Sequence, residues 1–254
     1  MSMAVEHARS DVSAPVERYR PPFVLTSDML FVLALAPTRD LQRGFPGVPF
    51  LSVLGRTPLV VWFSRITESC YHDQAGAWRC ECNPSPEGIY SEVNVLGPLR
   101  RRAVFVLAIY ASEARTVQIG RHYYGMPKHL ARTAVRVGAG RFEGTLVDGA
   151  RRSFVHARLI GGGRGLGAVV ARLWPRWTWP VHFPSGGHVR ALTLATARLQ
   201  VARIHAGQIA VQTPWLRAAR PLLPMGLYAG GLCIQLPSPD ESTRMHDAAQ
   251  RRAC

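Results

Sequence analysis

The stretch Gly120-Arg121-His122-Tyr123-Tyr124-Gly125-Met126-Pro127-Lys128-His129-Leu130-Ala131 carries the single lysine of a 254-residue chain that has 30 arginines. Where arginine serves as the generic cation, a lone lysine marks a position that arginine cannot fill. Arginine stays charged and is no amine nucleophile, whereas lysine can lose its proton. Pro127 fixes the backbone just ahead of Lys128. Met126, Leu130, Tyr123 and Tyr124 supply apolar walls, and desolvation by such walls favours a neutral amine. A neutral amine attacks carbonyl carbon at working pH. The segment therefore reads as a nucleophile site that follows a strand at Thr116–Gly120.

Outward from this segment the pattern is mostly β. Pro58–Glu68, Ala103–Ala111, Arg141–Val147, Ser153–Ile160, Arg190–Ile204 and Gln208–Gln212 are rich in branched and aromatic residues. Met29–Ala36 reads as a buried strand. Gly138–Gly140, Gly161–Gly163, Ser185–Gly187 and Ala206–Gly207 read as turns, the first and last as hairpins. Short helices are expected at Thr38–Gln42 and at Trp215–Leu222, the second stopped by Pro224. Many short strands with Gly and Pro punctuation predict a mostly β barrel or sandwich in one domain, residues 21–237. Residues 1–20 and 238–254 read as mobile polar tails.

Composition narrows the function classes. The first twenty residues include Glu6, Asp11 and Glu17 and no apolar run, so no signal peptide is expected. No apolar stretch approaches the roughly 20 residues of a membrane span. Five cysteines without a framework read as reduced thiols of a cytoplasmic protein. The formal charge of +15 points toward anionic partners. Its arginines, however, are scattered along the chain with few runs. That scatter reads as general arginine usage, with no nucleic acid and no membrane as partners. From Gly149 to Pro239 the chain has eleven arginines and no acidic residue, a field that would draw an anionic substrate.

Three other motifs lead to weaker chemistry. Cys80-Glu81-Cys82, with Cys70 and His72 upstream, departs from the two to four spacer residues of paired zinc cysteines, so no metal is expected. Gly163-Arg-Gly-Leu-Gly-Ala168 matches a phosphate-loop pattern, but no acidic residue follows to hold a ribose. His182, His188 and His205 have no spacing signature, and no G-x-S-x-G elbow is present.

The lysine segment resembles the motif of acetoacetate decarboxylases, G-R-E-x-x-G-[FY]-P-K-K. Gly88-Ile-Tyr-Ser-Glu-Val-Asn-Val95 is similar to the family's upstream Y-x-E strand. Phe142–Leu146 and Leu222–Gly231 are also similar, so the resemblance spans roughly residues 25–237. It implies a closed, cone-like antiparallel β-barrel, usually a homo-oligomer, with a Schiff-base lysine in an apolar cavity and no cofactor. Lys128 matches that lysine, Glu92 the cavity carboxylate and Arg121 the motif arginine. Arg121, Tyr90, Met126 and His129 are the neighbours expected to meet substrate. His122, Met126 and His129 depart from the pattern, and the family's N-terminal arginine falls at Ser27 or Asp28. The activity so implied is lyase chemistry on a keto acid or polyketide-like ketone, anionic or aromatic. A plain acetoacetate decarboxylase and a non-catalytic small-molecule-binding barrel are the alternatives.

Overall fold

Alternation of apolar and polar residues is the main organiser of this chain. In a computed structural model, which describes residues 16–96, 103–149, 151–160, 178–183, 188–208 and 220–239, those alternating runs become long strands. Strand β1 (Arg20–Pro37) buries Leu30, Val32, Ala34 and Ala36 completely and leaves Leu33 at its surface. This is the two-residue period of a pleated strand with one face on a core. Next come helix α1 (Thr38–Gly44) and strands β2 (Arg56–His72), β3 (Trp78–Leu96) and β4 (Ala103–Ala111). Helix α2 (Ala114–Tyr124) leads to β5 (Lys128–Leu130), β6 (Arg132–Gly138), β7 (Arg141–Asp148) and β8 (Arg151–Ile160). β9 (Thr178–His182), β10 (His188–Gln208) and β11 (Arg220–Leu236) complete the described elements.

The strands form one sheet in the order β11-β1-β2-β3-β4-β9-β10-β8-β7-β6, with β5 beside β4. The sheet curls, and β10 pairs with β11 as well as with β8 and β9. The pairings are antiparallel except at β4–β5 and β4–β9, which are parallel. The expected all-antiparallel arrangement is corrected at those two joints. At β4–β5 the cause is the α2 crossover between the strands, which returns the chain in the same direction. Two apolar clusters flank β4. Phe105, Leu107 and Tyr110 join a cluster with Leu30, Phe63 and Phe142, whereas Val106, Ile109 and Ala111 join one with Phe23, Val117 and Met126.

Several sequence expectations hold. Thr38–Gln42 lies in α1, and the hairpin at Gly138–Gly140 joins β6 to β7. Its two central residues, Ala139 at φ 48° and Gly140 at φ 71°, make the mirror-image turn that suits strand twist. Others need correction. Thr116–Gly120 is helical. Ala206–Gly207 is no hairpin but continues β10 past an irregularity, pairing with His156 and Val155. Arg220–Leu222 belongs to β11 rather than to a helix. Val16–Arg18 form a 3-10 turn ahead of β1.

The expectation of five reduced thiols fails as well. Cys70 and Cys80 face each other across β2 and β3 and are bonded as a disulfide, while Cys82 and Cys233 are free. Their ten-residue separation has no meaning until the hairpin register is known. No helix among the described residues is long and apolar enough to cross a membrane. The Gly163–Ala168 motif and most of the expected Trp215–Leu222 helix lie outside the described residues.

Candidate active site

Helix α2 builds the site. Thr116, Val117 and Ile119 are β-branched and favour a strand locally, yet Val117, Gly120 and Tyr124 are buried at helical spacing. The helix ends where Gly125 takes the left-handed conformation at φ 62°. There the Gly125 N–H donates to Arg121 C=O, the bond of an αL cap, and the Met126 N–H donates to Gly120 C=O, both at 3.1 Å. The chain then turns extended at Pro127, whose C=O accepts the Ile109 N–H at 2.9 Å. Lys128 thereby joins β4 as the register partner of Ile109.

Lys128 is buried, with 9% of its surface accessible. Its Nζ donates to Thr116 C=O at 3.2 Å. The stem crosses the helix at Gly120, where an added Cβ would lie 2.5 Å from Lys128 Cδ. A side chain at position 120 and this lysine rotamer exclude one another. Arg121 clamps the same residue from outside, its Nε donating to Lys128 C=O at 2.7 Å.

Lys128 lines a cavity of about 150 Å³. Phe23, Leu25, Ile66, Ile119, Tyr124, Met126 and Leu236 make its apolar walls. Tyr19, Tyr71, Glu81, Glu113 and Arg115 add a polar cluster to the lining. Arg115 donates to Tyr19 Oη at 3.2 Å and pairs with Glu81 at 3.3 Å and Glu113 at 3.5 Å. Tyr71 donates to Glu81, and its phenol is pushed up, first by burial and then by that carboxylate. The Tyr19 and Tyr71 rings meet edge to face at 4.8 Å.

This lining differs from the expected positive pocket. Of the acid-free stretch, Leu236 is the one described residue in the walls, and two carboxylates share one guanidinium. None of Tyr19, Tyr71, Glu81 and Arg115 was singled out as a site residue from sequence. Arg115 and Glu81 lie 34 residues apart, and no spacing rule joins them.

The expected site residues are distributed as follows. Lys128 and Met126 line the cavity. Arg121 is on the backbone of Lys128 and outside the lining. His129 pairs in register with Tyr110, stacks on its ring at 5.2 Å and also stays out of the lining. Partial burial, and then the Arg121 charge, holds its imidazole below the ordinary range. For Glu92 and Tyr90 only the backbone is described. Ser91, Ile109 and Lys128 form one register row, and Glu92 is a step along, between Val61 and Ala108. Tyr90 stands between Phe63 and Tyr110.

Asp28, at the position aligned with the family's missing arginine, is committed elsewhere. It accepts from Arg65 Nη2 at 2.5 Å, from Tyr228 Oη at 3.2 Å and from the Gly231 N–H at 3.2 Å. That network ties β1, β2 and β11 together. The Glu68, Cys70 and Cys80 ligand atoms lie close together, but both sulfurs are used in the disulfide.

The curled, mostly β sheet has the fold of solved acetoacetate decarboxylase structures. The acetoacetate decarboxylase of Legionella pneumophila superposes with a TM-score of 0.58 at 14% identity, over 87% of each chain. A second acetoacetate decarboxylase gives a TM-score of 0.58 at 11% identity, over 92% of this chain and 94% of that one. The enduracididine biosynthesis enzyme MppR, with HEPES bound, gives 0.54 at 14% identity, over 87% and 88%. No family model matches the sequence, and no curated protein does.

Proposed function

We propose that this chain is a Schiff-base-forming lyase acting through Lys128 on a keto acid or polyketide-like ketone. The observation that carries this reading is the buried Lys128 amine at the wall of an apolar cavity, within an acetoacetate decarboxylase-like fold. MppR, which has been captured with pyruvate, supports a keto substrate at a TM-score of 0.51 and 14% identity. The β10–β11 pairing supports a closed barrel, and the resemblance supports a homo-oligomer that needs no cofactor.

The chemistry follows from the amine. Lys128 Nζ adds to the ketone carbon, giving a carbinolamine that loses water to form an iminium. The iminium accepts the electron pair released when a neighbouring carbon loses carbon dioxide, a proton or an aldol fragment. The resulting enamine is protonated at carbon and water then hydrolyses the iminium, returning the amine. Proton movement in these steps belongs to a carboxylate, and Glu92 is the residue assigned by resemblance. A plain acetoacetate decarboxylase is the second reading, supported by the two decarboxylases of the same fold.

Borohydride reduction in the presence of pyruvate or acetoacetate tests the reading. A stable adduct is expected on Lys128 by peptide mapping. Label found only at the N-terminal amine would overturn it.

A further inference from the structure

Six arginines that are scattered in sequence share one outer sheet face. In β6, β7, β8 and β10 the inward positions Val135, Phe142, Val155 and Ala202 are buried. Their alternate neighbours, Arg132, Arg136, Arg141, Arg152, Arg158 and Arg203, are exposed on the other side. Register brings three of them into a single row, Arg141 opposite Arg158 and Arg158 opposite Arg203. Directly opposed side chains of an antiparallel pair lie about 5 Å apart, and like charges there are destabilising. Among the described residues none of these three forms an ion pair. The carboxylate next to the row, Glu143, is shared with His156 at 3.9 Å.

General arginine usage explains why these residues are not lysines. It does not explain three cations in one register row with no ion-pair partner among the described residues. Rings are interleaved with the cations. Phe154 lies under the Arg152 guanidinium at 5.6 Å and meets His156 edge to face at 5.6 Å. Arg141, Glu143, His156, Arg158 and His205 line a shallow depression of about 600 Å³ beside them. A second copy of the chain is a poor occupant, because the same face repels itself and the chain has 16 acidic residues against 31 basic ones.

We infer that the outer face of β6, β7, β8 and β10 binds single-stranded nucleic acid, with Arg141, Arg158 and Arg203 on phosphates and Phe154 and His156 on bases. Cations that track a backbone, with rings on which bases stack, are the elements of such a surface. The expectation of no nucleic-acid partner rested on arginine scatter along the chain, and the register removes that scatter. The inference is independent of the chemistry at Lys128, since none of these residues lines that cavity.

Fluorescence anisotropy of a labelled oligothymidine with the full-length protein tests it. Binding should weaken with salt with a log–log slope of about −2, for roughly three phosphates neutralised on a single strand. The double variant Arg141→Glu/Arg158→Glu should bind at least about tenfold more weakly, and Arg158→Gln should show a smaller loss. Arg39→Glu, an exposed arginine on α1, controls for overall charge and should change binding less than about twofold. Phe154→Leu should weaken binding with the salt slope unchanged. An equal loss in Arg39→Glu would overturn the inference, because the protein's overall charge would then suffice. So would absence of binding at about 0.1 M salt. Capture by phosphatidylserine vesicles that is lost in Arg158→Gln, without oligonucleotide binding, would instead assign the face to a membrane surface.

Discussion

Gly120→Ala separates the position of the Lys128 amine from the stability of the fold. The added methyl would lie 2.5 Å from Lys128 Cδ, 2.6 Å from Cε and 3.0 Å from Nζ. Ordinary contact begins at 3.4 Å, so the stem must retreat by about 0.9 Å. The clash is with the far end of a flexible side chain, so the fold can accommodate it by moving the amine. Alanine in a helix is about 1 kcal/mol more favourable than glycine, and Gly120 has no left-handed φ to lose. The two effects oppose, and net stability should stay within roughly 1 kcal/mol of wild type, a melting shift of only a few degrees for a chain of this size. Activity has no such compensation. A displacement of about 1 Å in a reacting group costs on the order of 100-fold. Single-turnover trapping with borohydride and pyruvate should therefore slow by about that factor, alongside an unchanged denaturation profile. Wild-type trapping rates in a folded Gly120→Ala protein would refute the packing argument. A loss of several kcal/mol would show that Lys128 cannot move and that the site is rigid.

Three further outcomes are expected. Lys128→Arg keeps the charge and removes the proposed nucleophile, so a folded protein with turnover below about one-tenth of wild type and no borohydride adduct is expected. The Tyr228 phenol is pushed up to about 12, by burial and then by Asp28, against an ordinary 10.0. A raised phenol contributes stability that is intact below pH 10.0 and is lost as pH climbs toward about 12, so urea midpoints should fall across that window and fall less steeply in Tyr228→Phe. Acetoacetate should be a poor substrate, because His129 stands at the second lysine of the resembled motif and Asp28, at the position of the missing arginine, is bound to Arg65, which leaves a small keto acid few contacts to offset the loss. Carbon dioxide release with kcat above roughly 10 per second would make the protein a plain decarboxylase.

What the sequence reveals and what it hides divide along the range of the interaction. The alternation in Met29–Ala36 and the turn at Ala139-Gly140 are local, and both are found where the residues place them. The helix at Ala114–Tyr124 is misread because Thr116, Val117 and Ile119 carry strand propensity. The contrary signal, apolar residues at helical spacing ahead of a capping Gly125, has meaning only when the segment packs on β4. Lys128 is legible because one lysine among 30 arginines is conspicuous. Its companions Arg115, Glu81 and Tyr71 are not, since helix α2 and the β2–β3 hairpin bring them together from different parts of the chain. The Cys70–Cys80 bond and the arginine row depend on register in the same way.

The lysine motif becomes intelligible as one mechanical unit. Thr116 accepts the amine, Gly120 makes room for the stem, and Arg121 holds the carbonyl, so three positions of one helix grip every part of Lys128. Gly125 and Pro127 supply the turn and the extension that bring the lysine back over the same helix. The departures from the family pattern can be sorted against this unit. His122 is exposed with its ring against Tyr123, and His129 stacks on Tyr110 outside the lining. Neither enters the cavity, so their replacement leaves the grip on Lys128 intact. Met126 is different, because it is buried and lines the same cavity as Lys128. An unbranched thioether adapts its shape where an aromatic ring cannot. Of the three departures, Met126 is thus the one through which a change of substrate shape would act.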